Sequence, residues 1–550
     1  MKKRLNQFIV GCLYVILLTP LIFQQSLMHP LVIAKTLFFQ VIIELALVGY
    51  IALAFSYKEY RPRITPLFIA ILSVFGAIII SSVFGVDGVR SIWSVPERMT
   101  GIVLMAHLMA YFIMLSGMRR SFSWNKYLSA SVGISFFVAL FPVIQLMFPA
   151  IFFDKIGDRL SGTIGNPIFL SAYLFFHVFI AAWLAERAHK AGKVWWPYAL
   201  AAAFDLGVIL LTQTRGAVVA VAVSLMILSA YAFFGTKGKN TRNALGAAWL
   251  LMVLMAIGFW MTRENAVWRG VPVLSRLATE GFRADNRLIA WKAGLMSFTE
   301  HPVTGVGWEN FVTAFDRYYD PRLLRNGFSE TFFDRPHNVF VQFLAETGVI
   351  GFAAYVFLLV YATYLARRDK WMVAMLAAYV TQNFFAFDSV SSYVIFFALL
   401  AWIDVEYGGM QQGAPALAPL GNRGSASQEA LAVGALAVFA CASIYYLNYR
   451  PYAASHLEWT SVNYFVQGEV ADGVDFMRQA LAASTPYHDY IAKDLYPNIA
   501  LLYKQNLPLP DVRNLVAEAV RGMQAAAEAQ PLNYGFWIGL ADMMQPIAGL

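Results

Sequence analysis

Long apolar runs separated by short polar breaks dominate the chain. Runs near the ~20 residues a helix needs to cross a bilayer cover 5–24, 31–55, 64–84, 101–117, 127–148, 167–185, 195–212, 217–234, 244–262, 338–365, 370–386, 389–404 and 429–447. The runs 370–386 and 389–404 are short and suit a hairpin of helices. Two stretches interrupt the rhythm. Residues 263–337 form a long polar segment, and residues 405–428 are rich in Gly, Ala, Pro, Gln and Ser, as linkers are. The pattern predicts an all-α, polytopic membrane protein with 12–13 transmembrane helices.

Residues 448–550 differ in kind. Acidic residues outnumber basic ones, and apolar positions recur at helical spacing, as at Val470, Val474, Met477 and Leu481. Turn signals at Ser484-Thr485-Pro486 and Leu507-Pro508-Leu509-Pro510 separate the helices. Ala-rich helix pairs followed by proline, as at Ala529-Gln530-Pro531, loosely resemble tetratricopeptide (TPR) repeats. The expected division is a transmembrane bundle (1–262), a loop (263–337), helices completing the core (338–404), a linker (405–428), an extra span (429–447) and a small TPR-like helical domain (448–550).

Composition agrees with a membrane protein: 59% of residues are hydrophobic and 13% charged, against about 25% charged in soluble proteins. The two cysteines, Cys12 and Cys441, lie in apolar runs, which leaves no disulfide framework and no cysteine-rich metal site. The formal charge of +8 does not call for nucleic acid. Much of it lies in short loops: Lys2/Lys3/Arg4, Lys58/Arg61/Arg63, Arg119/Arg120/Lys126, Arg187/Lys190/Lys193, Lys237/Lys239/Arg242 and Arg367/Arg368/Lys370. These alternate with mixed or uncharged loops, so the basic set is expected inside. That puts the N-terminus in the cytoplasm, and 263–337 and the C-terminal domain outside. Met1-Lys2-Lys3-Arg4 and the following apolar run imitate a signal peptide, but no small-residue cleavage pattern precedes Pro20, so they read as the first membrane helix.

The residues too polar for their setting fall on the outer side. They include Arg98 after Pro96-Glu97, Arg159 before Ser161-Gly162-Thr163, Arg215 in Thr212-Gln213-Thr214-Arg215-Gly216, Arg287 in Asp285-Asn286-Arg287, and Arg335. Arg215 sits in a turn so tight that it lies at the membrane boundary. A charge there faces a partner, a water-filled cavity or lipid phosphate. Leu288, Trp291 and Leu295 suit one face of an amphipathic helix on the membrane surface. Gly305 and Gly307 suggest a turn whose backbone N–H groups approach an anion. Pro336 suits a first helical turn, which would set His337 at the positive end of a helix dipole. His337 reads either as a functional group or as an interfacial residue bonded to a neighbouring loop. Glu346, nine residues on, lies on another side of that helix and reads as structural. Trp291, Trp308 and Asn338 are candidate contacts for a glycan or acceptor. His301 and His337 lack metal-ligand spacing, so no metal site is expected. Arginines suit a diphosphate, and a neutral histidine suits removal of a hydroxyl proton.

The motifs Gly162-Thr163-x-Gly165-Asn166-Pro167, Thr214-Arg215-Gly216-Ala217, Arg287-x3-Trp291 with His301-Pro302-x2-Gly305-x-Gly307, and Pro336-His337-Asn338-x3-Gln342-x3-Glu346-x-Gly348-x2-Gly351 resemble the O-antigen ligase and polymerase superfamily of bacterial membrane glycosyltransferases. The resemblance covers roughly residues 90–400. It implies a metal-independent inverting transferase in the bacterial inner membrane. Its donor would be a glycan on undecaprenyl diphosphate, and its acceptor would be lipid A core, an exported protein such as a pilin, or a growing polysaccharide. Arg215 and Arg287, with Arg98 and Arg159 less securely matched, would bind the donor diphosphate, and His337 would activate the acceptor hydroxyl. A lipid-linked glycan transporter is the reading of another class. It would show midplane charges, broken helices and repeat symmetry.

Overall fold

In the computed structural model, which describes residues 2–119, 121–148, 159–269, 285–326, 331–408, 426–499, 509–531 and 533–544, every described regular element is helical. Helices suit a bilayer because each satisfies its own backbone N–H and C=O groups without water. The first part comprises α1 (Lys2–Ile16), α2 (Ile33–Ser56), α3 (Pro66–Val83), the short α4 (Gly88–Trp93), α5 (Ile102–Gly117), α6 (Trp124–Met147), α7 (Pro167–Lys190), α8 (Trp196–Leu211), α9 (Arg215–Gly235) and α10 (Lys239–Thr262). The polar segment contributes α11 (Asp285–Glu300) and α12 (Phe311–Arg317), and α13 (Val339–Ala366), α14 (Lys370–Asn383) and α15 (Val390–Glu406) complete the core. Eight of the described helices are long and apolar enough to cross a membrane. The other apolar runs hold shorter helices. At 14 residues, α14 is only ~21 Å long at 1.5 Å per residue, short of the ~30 Å hydrocarbon core.

The loops sort to two ends of the bundle. At one end the basic loops meet. Lys2 pairs with Glu59 at 2.5 Å, and Glu186 holds Lys190 at 2.5 Å and Lys370 at 2.8 Å. Trp183 and Tyr407 both donate to Asp369. At the other end lie loops 84–101 and 159–166, the turn 212–214, the 301–338 segment and the turn 384–389. Thr65-Pro66, Asn166-Pro167, Asn338 and Asp369 cap helices with their side-chain oxygens.

Helix α13 is interrupted where the apolar run suggests continuity. Gly348 adopts φ 62° and ψ −164°. The carbonyls that the break would strand are met by the 302–307 turn: Val306 N–H donates to Ala345 O at 3.0 Å and Gly307 N–H to Glu346 O at 2.9 Å. In return Val349 N–H donates to Pro302 O at 2.8 Å. Non-helical backbone at membrane depth is tolerated when protein covers it in this way. Gly305 N–H donates to His301 O, so both glycine N–H groups serve this junction and not an anion. A Cβ on Gly348 would lie 2.3 Å from Val303 O. Gly348→Ala is expected to cost more than about 2 kcal/mol, from the unfavourable φ and the clash together. Thermal unfolding in detergent should show the lower Tm.

Helix α16 (Ala426–Ser443) does not stop at 447. It passes through a π-helical segment, Ile444–Tyr449, into α17 (Arg450–Gln467), so the extra span and the C-terminal domain share one continuous helix. Residues 409–425 of the expected linker lie outside the described residues. The buried Glu44 of α2 holds this helix, accepting from Ser443 Oγ at 2.6 Å and Asn448 Nδ2 at 3.0 Å. The domain continues with α18 (Val470–Ala482), α19 (His488–Ile499), α20 (Leu509–Ala529) and α21 (Tyr534–Met544), packed around Val474, Met477, Leu495, Met523 and Phe536. It docks on the end opposite the basic loops. Gln24 Nε2 donates to Tyr452 OH at 2.6 Å, Met28 N–H to Ser455 Oγ at 3.1 Å, Tyr487 OH to Trp93 O at 3.2 Å, and Arg90 Nη1 to Tyr490 OH at 3.1 Å.

Candidate active site

His337 belongs to the loop, not to the helix. Asn338 is the cap of α13, its side chain accepting from Phe340 N–H at 2.9 Å and Val341 N–H at 3.2 Å. Pro336 therefore precedes the cap instead of occupying the first turn. His337 takes φ +53°, a left-handed conformation uncommon outside glycine. Its Nδ1 lies 3.1 Å from the Arg335 carbonyl. A carbonyl can only accept, so Nδ1 carries the proton and Nε2 keeps the lone pair. The ring stands edge-on between Phe333 and Phe387, with centroids 5.4 and 5.1 Å away. Burial, and then the charge of Arg287, push its pKa down to about 4, so the imidazole is neutral at physiological pH.

The structure brings most of the candidate arginines to this end of the bundle. Arg287 Nη1 donates to Phe385 O at 3.1 Å. Arg215 opens α9, and the neighbouring Gly216 lets that helix approach Phe385, to whose Cβ an added Cβ would come within 3.3 Å. Arg159 donates to Thr212 O at 3.2 Å and Thr214 Oγ1 at 3.0 Å, holding the turn before Arg215. Arg98 lies over the Phe387 ring at 5.1 Å and pairs with Asp334 at 2.8 Å. Burial alone would raise the Asp334 carboxyl, but Arg98 outweighs it and holds the pKa at about 2.

Arg335 plays a different part. It is 2% exposed and paired at 2.6 Å with Glu309, itself 4% exposed. Glu309 also accepts from Ser94 Oγ at 2.8 Å and Thr100 Oγ1 at 3.1 Å, and Arg335 donates to Thr100 Oγ1 as well. This buried network fixes the backbone leading into His337. Trp291 Nε1 donates to Pro336 O at 2.8 Å and supports the same backbone. Leu288 and Leu295 on its helix, α11, are exposed, while Ala290 and Ala293 are buried. The expectation that Trp308 meets a sugar does not match its place. It is 1% exposed, donates to Thr100 O at 3.0 Å and packs on Phe343. Asn338 is likewise buried, and its side-chain oxygen caps α13. Glu346 is buried, accepting from Gln342 Nε2 at 3.1 Å and Phe311 N–H at 3.3 Å.

The five described non-glycine residues with positive φ are Ser94, Met99, Gln213, Glu309 and His337, and all lie at this end. Such backbone persists only where the surroundings over-determine it, and it clusters at functional sites. Sequence reasoning passed over Lys35, Phe387 and Asp388, which also meet here. Lys35 was detectable as a charge inside an apolar run, and Asp388 as the acid in an otherwise uncharged turn.

Residues 200–356 match the family model for O-antigen ligase. This stretch holds Arg215, Arg287, Arg335 and His337, whereas Arg98 and Arg159 lie before it. Among curated proteins none matches the chain.

Proposed function

We propose, from the match of residues 200–356 to the O-antigen ligase family model and from the geometry around His337, that this multi-pass membrane protein is an inverting glycosyltransferase. It moves a glycan from undecaprenyl diphosphate to an acceptor hydroxyl at the periplasmic face of the bacterial inner membrane. The acceptor is lipid A core or another envelope hydroxyl. The observation that carries this reading is a neutral histidine, its proton fixed on Nδ1, set among arginines that converge on the 385–387 turn.

The chemistry needs little more. The acceptor oxygen attacks the anomeric carbon, the bond to the diphosphate oxygen breaks, and undecaprenyl diphosphate leaves. The acceptor proton passes to His337 Nε2 and from there to solvent. Arg215 and Arg287 stabilise the charge that develops on the diphosphate, an effect that preorganised cations deliver best in a water-poor site. The free imidazole is a weak base because burial, and after it the charge of Arg287, disfavours its protonated form. A bound diphosphate offsets that charge and raises the basicity of His337, so donor binding readies the base.

The test is reconstitution of the full chain with an undecaprenyl-diphosphate glycan and three acceptors: lipid A core, a pilin-like protein and a second donor glycan. Transfer is expected without added nucleotide or metal. Arg287→Ala should lower it by about 10²-fold or more, as losing a transition-state donor does, and Arg287→Lys should not restore it, because lysine lacks the two-pronged donor. Translocation of the carrier across liposomes by an Arg287→Ala protein as active as wild type, with no transfer by either, would replace this reading with a transporter.

A further inference from the structure

A cavity of about 280 Å³ opens at the same end of the bundle, lined by His29, Lys35, Glu97, Arg98, Asn166 and Asp388 among others. It joins the site just described through Arg98 and through Phe169, a lining residue whose ring lies 5.3 Å from that of Phe387. Its size sits just below the range of about 300–1,000 Å³ typical of ligand pockets, enough for one substituted sugar ring. The charges inside are not equivalent. Arg98 is paired with Asp334. Asp388 accepts from Tyr379 OH at 2.6 Å and Asn383 Nδ2 at 3.0 Å, and burial raises its pKa to about 6. Glu97 is exposed. Lys35 is 3% exposed, and its Nζ donates to the Thr163 carbonyl at 2.6 Å. Among the described residues no carboxylate lies within ion-pairing distance of it. A buried lysine amine with no carboxylate paired to it carries a charge only at a cost that an incoming anion would offset, and in a membrane protein such a group marks a functional site.

We propose that this cavity is a second anion subsite, in which Lys35 receives a carboxylate or phosphate carried on a sugar of the donor glycan or of the acceptor. The subsite is separate from the arginines that meet the donor diphosphate, and its role as a substrate site rests on the transferase reading above. The cavity walls are well supported. Met28 is held by Ser455 of α17, and the loop carrying Glu97 and Arg98 is held at Trp93 by Tyr487. The C-terminal domain therefore buttresses the cavity that would select the charged sugar.

The test begins with binding to the full chain in nanodiscs. Glucuronate and glucose 6-phosphate are compared with methyl glucoside by NMR titration against wild type, Lys35→Met and Lys35→Arg. The two anions are expected to bind wild type at least tenfold more tightly than the neutral sugar. Lys35→Met should remove that preference with the fold intact, and Lys35→Arg should keep most of it. Equal binding of charged and neutral sugars by wild type, or an unchanged preference in Lys35→Met, overturns the proposal. Transfer assays then locate the anion, with the acid placed on the donor glycan alone or on the acceptor alone. Lys35→Met should raise KM at least tenfold for one of these pairings while leaving kcat and the uncharged pairing near wild type. A protein that shows the charge preference but transfers nothing refutes the transferase reading and leaves the subsite standing. One that transfers but shows no charge preference does the reverse.

Discussion

His337→Gln is expected to lower glycan transfer by about 10²–10⁴-fold, the usual contribution of a positioned general base, while donor binding stays within a few-fold of wild type. Glutamine fills similar space between Phe333 and Phe387 and can still donate to the Arg335 carbonyl, but it cannot take a proton at the position of Nε2. The pH profile separates this role from simple packing. His337 must be neutral to act, so protonation on the acid side abolishes activity. In the free enzyme burial and Arg287 hold its pKa at about 4, so kcat/KM should stay level as pH falls from neutrality and drop only toward pH 4. The profile of kcat reports the donor complex, where the diphosphate offsets Arg287, so its acidic limb should lie at higher pH. Both limbs should be missing from the residual activity of His337→Gln. Initial rates in proteoliposomes across pH give the result. Equal acidic limbs in variant and wild type would remove His337 from the proton transfer.

The second large effect is on stability. Arg335→Met is expected to cost about 3–5 kcal/mol, because it leaves Glu309 charged, buried and without its cation. Burial opposes the charge on Arg335, yet Glu309 and Asp334 hold its pKa above the ordinary value, so the guanidinium is permanently charged. Arg335→Met combined with Glu309→Gln removes both charges. The glutamine oxygen still accepts from one of the Ser94 and Thr100 hydroxyls, its NH2 can donate to the other, and the double variant should recover most of the lost stability, as matched replacement of buried pairs often does. Unfolding in detergent followed by tryptophan fluorescence measures both. A single variant as stable as wild type would show that the pair does not hold this end of the bundle together. Transfer by the double variant tests a further point, since Arg335 lends its carbonyl to His337. If folding returns but activity does not, the ion pair sets the register of the His337 segment as well as its stability.

Much of this protein was legible along the chain. Thirteen apolar runs each contain a helix, and eight of the described helices are long and apolar enough to cross a bilayer, which demands ~20 apolar residues in a row whatever surrounds them. Thr65-Pro66 and Asn166-Pro167 mark helix starts through local hydrogen bonds that need no distant partner, whereas Pro336 pointed to a helix start ahead of the Asn338 cap. Arg215 and His337 stood out as polar residues at apolar borders.

What lay beyond the sequence depends on contacts between distant segments. Arg98 and Asp334 are 236 positions apart, and Arg335 and Thr100 are 235 apart. Nothing local distinguishes Arg335, which stabilises the scaffold, from Arg287, which acts on His337, since both are arginines in the same polar segment. The break at Gly348 is hidden for a related reason. A glycine inside an apolar run reads as helix until the 302–307 turn arrives to bond the carbonyls it releases. The cavity at Lys35 likewise exists only because loops near 29, 97, 165 and 388 converge. Apolar length and capping chemistry act over a few residues and are written in order along the chain. Pairing of buried charges and strained backbone is set by whichever groups the packed bundle brings within a few ångströms, and only the tertiary structure decides that.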